Sequence, residues 1–196
     1  MLRSKIKFTA DLHALISRKL LDDIGHVELV MSKFQRIDLK RNEQLLNEGD
    51  VCKHVYFITQ GCLQAYVYGT KMLESTKEIV TEGNWYCDLR SFKDELPATE
   101  NIRAVEASQV QCINRRDFIY LVQTIPRFGA AYQFMLEAYY AHIANRVEAF
   151  VALSASDRIR WLMDNRPELM TRLPSKLIAS YLAINKDVFS RLRAKL

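Results

Sequence analysis

The sequence predicts an α+β chain with an antiparallel β-domain, a long helix and a C-terminal helix-turn-helix. Three observations predict it. From about Ile37 to Cys112, short apolar runs alternate with turn residues at close intervals. From Pro126 to Leu153, the chain has no further proline and only Gly129 as glycine. From Leu173 to Leu196, LPSKLIASYLAINKDVFSRLRAKL reads as two short helices with a tight joint.

Residues 1–34 read as helical. Leu12, Leu15, Ile16 and Leu20 form one face, and Ile24, Val27, Val30, Met31 and Phe34 continue it at mixed spacing. The β-region then runs through Leu45-Leu46, Val55–Ile58, Leu63–Val67, Ile79-Val80, Ile102/Ala104 and Val110/Cys112. Turns are expected at Glu48-Gly49-Asp50, Gln60-Gly61, Gly69 and Glu82-Gly83-Asn84. Many short strands of this kind make an antiparallel sandwich or barrel.

The stretch after Pro126 carries Leu136, Tyr140, Ile143, Val147 and Phe150 at spacings of 4, 3, 4 and 3, an a/d seam over two heptads. Such a stripe packs either on the β-domain or on a second copy of the chain. The second is the expectation, because paired recognition helices reach successive major grooves. Ser154-Ala155-Ser156-Asp157 fits a capping box and opens a new helix. The expected organisation is therefore a sensor domain over 1–125, a linking and dimerisation helix over 126–153, and a helix-turn-helix domain over 154–196.

In the last domain Pro174 suits a first helical turn. Leu177, Ile178, Tyr181 and Leu182 follow at helical spacing, and Ala179 is small enough to let a second helix cross. Ala183 falls at the joint, where a left-handed residue is needed and glycine is usual. Asn185 is the expected cap of the second helix. Val188, Phe189 and Leu192 give that helix an apolar face, leaving Lys186, Ser190, Arg191, Arg193 and Lys195 on the others. A basic, hydroxyl-bearing second helix suits major-groove docking, whereas an ordinary helical hairpin with a solvated face is the plainer alternative.

Charge placement favours the first. The chain has 28 Lys+Arg and 23 Asp+Glu. Residues 157–196 hold nine basic and four acidic side chains, so the whole surplus of five lies there and the rest is balanced. A localised basic face fits a polyanion. No secretory signal, membrane span or lipidation motif is evident, so no membrane association and a cytoplasmic location are expected. Cys52, Cys62, Cys87 and Cys112 match no metal-binding spacing and are expected as reduced thiols, with no metal site. No hydrolase triad, HExxH, P-loop or paired-carboxylate motif points to an enzyme.

Several segments, in order, resemble the Crp–Fnr family of bacterial transcription regulators. NEGDVCKHVYFITQGCLQAYVY (Asn47–Tyr68) looks like the family's opening jelly-roll strands. EGNWYCDLRSF (Glu82–Phe92) looks like the lead-in to its phosphate-binding cassette, and NIRAVEASQVQCINRRDFIYL (Asn101–Leu121) like its closing strands and next helix. SASDRIRWLMDNRPEL and PSKLIASYLAINKDVFSRLRAKL resemble a short branch of the family common in Bacteroidetes-like bacteria. The resemblance implies a cyclic-nucleotide-binding-like jelly roll followed by the dimer helix and the DNA-reading domain. Because the sequence stops at Leu196, the family's β-wing is expected to be missing or reduced.

The departures bear on mechanism. Cyclic-nucleotide binders in the family have Gly-Glu-Leu, then Arg-Ser/Thr-Ala, with the Arg on the cyclic phosphate. Here the matching residues are Cys87-Asp88-Leu89 and Ala98-Thr99-Glu100, so the Arg is Ala98 and a carboxylate sits at Glu100. An Arg–phosphate pair is hard to replace, and a phosphate beside an unpaired carboxylate is repelled by on the order of a kcal/mol. Cyclic AMP is not an expected effector. The pocket is a degenerate one lined by Trp85, Cys87, Asp88, Leu89, Ala98, Thr99 and Glu100 with Tyr139 or Tyr140. It takes an unidentified small effector or none. No Cys precedes Cys52, which removes the Fnr-type iron–sulfur cluster, and His54 and His142 read as structural rather than haem ligands.

The expected function is a homodimeric, sequence-specific DNA-binding regulator. Lys186, Ser190 and Arg191 face base edges, with Arg191 at the family's guanine-reading position. Ser175, Lys176, Asn185, Arg193 and Lys195 face phosphates. Double-stranded DNA, a second copy and RNA polymerase are the partners this implies. The alternative is a ligand-sensing or scaffold module acting through protein partners, its helix-turn-helix degenerate.

Overall fold

The computed structural model describes residues 10–21, 23–69 and 73–195. The helical reading of residues 1–9 lies outside the described residues. The rest of the N-terminal stretch is helical, as two helices. In α1 (Leu12–Leu20) the Asp11 carboxylate accepts the Ala14 N–H at 3.2 Å, and in α2 (Ile24–Met31) Asp23 accepts that of His26 at 3.1 Å. Leu21, at φ 55°, ends α1 in a left-handed turn, so the side chains of α2 do not continue its face. Leu12, Ile16 and Leu20 are buried, while Leu15 is half-buried.

The strands are β1 (Gln35–Leu39), β2 (Gln44–Leu46), β3 (His54–Gln60), β4 (Cys62–Tyr68), β5 (Glu74–Thr81), β6 (Trp85–Tyr86), β7 (Asn101–Ala104) and β8 (Ser108–Asn114). They form two four-stranded sheets, β1-β8-β3-β6 and β2-β7-β4-β5. That order is a jelly roll, a sandwich and not a closed barrel. β3 lies between β8 and β6 and is buried on both faces, and that second feature is why Val55–Ile58 reads as a continuous apolar run. At the β3–β4 turn Gly61 has φ 98°, and a Cβ there would meet the Ser108 Cα at 2.6 Å. Only glycine meets both demands.

The remaining helices are α3 (Leu89–Asp94), α4 (Arg115–Thr124), α5 (Pro126–Ala152), α6 (Ala155–Asn165), α7 (Pro167–Arg172), α8 (Ser175–Tyr181) and α9 (Lys186–Arg193). Among the described residues, no helix is long and apolar enough to cross a membrane.

The chain divides into two compact units. One comprises residues up to Val67 and Glu78–Gln133; the other comprises Tyr68–Lys77 and Phe134–Leu196. The first unit contains most of the sandwich and the first two turns of α5. Its helical layer is centred on Phe118, whose ring meets Phe92 at 5.6 Å, Phe128 at 5.8 Å and Tyr132 at 5.0 Å, all edge-on. The second unit contains the rest of α5, α6 to α9 and the first residues of β5. Its core is Ile159, Leu162, Leu169, Ile178, Tyr181, Leu182 and Phe189.

Candidate nucleic-acid interface and ligand cassette

The cassette lies in the first unit. β6 sends its two side chains to opposite faces. Tyr86 donates its phenolic proton to Glu100 at 3.0 Å. Trp85 stacks instead near Phe57 at 4.9 Å and Phe34 at 5.8 Å. Strand alternation thus turns Tyr86 toward Glu100 and Trp85 toward Phe57 and Phe34.

Asp88 is the centre of the cassette. It is 6% exposed; one carboxylate oxygen accepts the Ser91 N–H at 3.0 Å and caps α3. The other accepts the Thr99 N–H at 3.0 Å and faces the Thr99 hydroxyl at 3.5 Å. The Ser91 hydroxyl accepts the Cys52 N–H and donates to the Leu96 carbonyl. Ala98 is held through its backbone, its N–H to Asp50 O at 2.8 Å and its carbonyl from Gly49 N–H at 2.9 Å. Leu89 stays partly at the surface, 38% exposed.

Glu100 is buried as well, so the cassette contains two buried carboxylates. Burial pushes the Cys87 thiol well above its ordinary range, and the Cys52 thiol and then the Asp88 and Glu100 carboxylates push it the same way. Burial likewise raises Cys52 and Cys112. All four cysteines are free thiols. Among the described residues no group of His, Cys, Asp and Glu is placed to hold a metal ion.

Tyr139 and Tyr140 belong to the second unit. The Tyr139 ring lies 6.5 Å from that of His142, and Tyr140 is 76% exposed. Tyr140 thus shares a stripe with Val147 and Val151, which are also exposed. At about 100° per residue the three fall within about 40° of one another around α5. Leu136 and Ile143 flank the stripe, half-buried. Phe150 does not belong to it. Its ring is covered by the guanidinium of Arg146 at 4.9 Å and approached by that of Arg158 at 5.7 Å. The exposed stripe ends on Val151, because a 3.6-residue helix drifts off a strict heptad.

In the helix-turn-helix, α8 and α9 pack through Ile178, Ala179, Leu182 and Phe189. Ala183 occupies the joint at φ 52°, left-handed without glycine. Asn185 caps α9, its carbonyl oxygen accepting from Asp187 N–H at 2.8 Å and Val188 N–H at 3.4 Å. Lys176, Asn185, Lys186, Ser190, Arg191 and Lys195 are exposed, and Ser175 is half-buried. Lys186 and Ser190 share one face of α9, with Ser190 Oγ donating to Lys186 O at 3.0 Å, and Arg191 lies about 100° further round the helix from Ser190. Arg193 is committed elsewhere, donating to Met170 O at 3.1 Å and Ser175 Oγ at 3.4 Å. Arg193, itself exposed, and Ser175 thus tie α7, α8 and α9 together at the surface.

At the start of the domain, Ser154 Oγ accepts the Asp157 N–H at 3.2 Å and donates to the Asp157 carboxylate at 2.6 Å. Three residues escaped the sequence reading. Arg146, Arg158 and Ser180 bind the last turn of α8 and the start of β5. Their only signal was a cation, Arg146, inside the apolar stretch of α5.

Residues 36–125 match the cyclic nucleotide-binding domain family. No curated protein sequence matches the chain. Solved structures do. The c-di-GMP-responsive global regulator CLP of Xanthomonas campestris aligns with a TM-score of 0.71 at 18% identity, over 88% of this chain and 91% of that one. FixK2 from Bradyrhizobium japonicum gives 0.72 at 13% identity, over 83% and 84%. The catabolite activator protein of Thermus thermophilus gives 0.53 at 18%, over 91% and 86%. The β-domain is thus of the cyclic nucleotide-binding class. The chain as a whole has the fold of the Crp/Fnr-type transcription regulators.

Proposed function

We propose that this chain is a homodimeric, sequence-specific DNA-binding transcription regulator of the Crp–Fnr type that does not respond to cyclic AMP. The observation that carries the reading is the helix-turn-helix itself: α8 and α9 joined at a left-handed Ala183, with Lys186, Ser190 and Arg191 exposed on α9. Arg191 is suited to bidentate contact with a guanine edge, while Lys176, Lys195 and the Asn185 amide suit phosphates. The basic surplus of residues 157–196 supplies the salt-dependent part of the affinity.

The stripe Tyr140–Val147–Val151 supports dimerisation through α5, which supplies two recognition helices for two half-sites. The cassette supports indifference to cyclic nucleotides. Asp88 occupies two N–H groups of the segment that would cradle a phosphate, Glu100 adds a second carboxylate, and Ala98 provides no counter-charge. In this reading residues 1–125 act as a sensor or scaffold, residues 126–153 link and dimerise, and residues 154–196 read DNA in the cytoplasm, with RNA polymerase as a further partner.

The test is a selection of bound fragments from random duplex DNA, followed by titration of the recovered sequence over a range of salt. A regulator gives an enriched motif and a steep decline of affinity with salt. Recovery of no motif, with no duplex bound at physiological salt, overturns the reading in favour of a module acting through protein partners.

A further inference from the structure

The last four carbonyls of a helix have no partner within it. At the end of α8 all four are nevertheless satisfied. Ala179 O accepts the Ile184 N–H at 2.9 Å and Ser180 O that of Ala183 at 3.1 Å. Tyr181 O accepts from Arg146 Nη2 at 3.1 Å, and Leu182 O from Arg158 Nη1 at 2.7 Å. These carbonyls flank the one left-handed residue of the joint, Ala183. Two cations from two other helices thus meet the negative end of α8, where charge-assisted bonds and the helix dipole act together.

Arg146 is built for the task. It is 8% exposed, and its guanidinium lies 4.1 Å from the centre of the Tyr181 ring and 4.9 Å from that of Phe150. It also donates to the carbonyl of Lys77 in β5. Next to it, Ser180 Oγ accepts the Thr76 N–H at 2.8 Å and faces Glu74 O at 3.4 Å, so one hydroxyl completes the edge of that strand. α5, α6, α8 and the start of β5 converge on a single turn.

We propose that Arg146 and Arg158 are positioning residues for DNA reading: together they clamp the helix-turn-helix joint, hold Ala183 in its left-handed conformation and so fix the direction in which α9 leaves α8. The assignment of α9 to DNA rests on the function proposed above; the clamp does not. A left-handed alanine costs on the order of 1–2 kcal/mol, so without the arginines the joint has reason to relax. In the clamp each guanidinium acts through a protein carbonyl, Tyr181 O for Arg146 and Leu182 O for Arg158.

The test uses the full chain with Arg146→Ala, Arg146→Lys, Arg158→Ala and Ala183→Gly, singly, and Arg146→Ala with Ala183→Gly. Hydrogen exchange is measured on the amides of residues 184–189, and affinity for the selected operator is compared with a scrambled duplex. Losing a charge-assisted bond should speed exchange there by about tenfold or more and reduce the operator preference by a similar factor. The salt slope should stay unchanged. Lysine keeps the charge but not the planar fork, so Arg146→Lys should resemble Arg146→Ala. Glycine is unstrained at a positive φ, so Ala183→Gly should restore part of the loss in the double variant.

Faster exchange spread evenly over residues 134–195, or an Arg146→Ala effect that Ala183→Gly leaves untouched, overturns the clamp. An unchanged operator preference overturns the positioning role even if exchange rises. If the wild type binds no duplex, the positioning role falls with the regulator reading, and the exchange measurement still decides the clamp.

Discussion

Asp88 and Thr99, eleven residues apart, are joined by a 3.0 Å bond from the Thr99 N–H to the Asp88 carboxylate, and the same carboxylate caps α3 through Ser91. The Asp88 carboxylate is thus committed to two backbone N–H groups of the cassette. A phosphate entering this cassette must displace a buried carboxylate from both N–H groups and then sit beside it and Glu100. No guanidinium is offered at Ala98.

Cyclic AMP and cyclic GMP should therefore leave the melting temperature unchanged. A ligand present at 100 times its Kd adds about 2.7 kcal/mol of stability, which a thermal melt detects readily. A clear rise in the presence of millimolar cyclic nucleotide would show that the Asp88 contacts yield to phosphate.

The purified chain should sediment as a dimer at micromolar concentration. Tyr140→Asp with Val147→Asp should give a folded monomer whose melting temperature no longer depends on protein concentration, because both side chains are exposed within the protomer and their replacement leaves its core intact. A wild-type monomer at that concentration removes α5 as the seam.

Arg191→Ala should lose discrimination between the operator and a scrambled duplex by about 1–3 kcal/mol, the value of a bidentate Arg–guanine contact. Lys195→Ala should weaken both duplexes alike and flatten the salt dependence by about one counterion. Competition binding at fixed salt separates the two. Arg191→Ala with the wild-type preference would mean that Arg191 reads no base.

Stability should fall in alkali. Cys87, Cys52 and Cys112 start from an ordinary value of 9.0, and burial raises each of them in the folded chain. The folded state therefore holds protons that the unfolded state releases. Their contribution is fully present below about pH 9 and is lost as the pH climbs from there toward the folded values. Urea melts between pH 7 and 10 should show a declining midpoint, less steep in Cys87→Ala. The same thiols should react slowly with a thiol reagent at pH 8 until the chain is unfolded, since the thiolate is the nucleophile.

Much of this architecture is legible in the sequence because it rests on local chemistry. The turns at Gly49, Gly61 and Gly83 need positive φ, and glycine declares them. Ser154 and Asn185 announce the starts of α6 and α9 because a capping side chain bonds to N–H groups two or three residues on. The helix-turn-helix is visible for the same reason, down to Ala179 at the crossing and Ala183 at the joint.

What the sequence hides is which of two adjacent faces a residue takes and which distant backbone a long side chain reaches. Tyr86 faces Glu100 and Trp85 faces Phe57 because β6 pairs with β3 in a register that no two-residue strand encodes. The guanidinium of Arg146 covers the Phe150 ring with that of Arg158 nearby, and Arg193 reaches Met170 O, contacts that no local pattern declares. Asp88 seals the cassette across eleven residues and Arg146 clamps α8 across thirty-five. Local pattern therefore determined the elements and their order. The tertiary structure decided the partners, because a buried donor or acceptor must be satisfied by whatever the packing brings within about 3 Å of it.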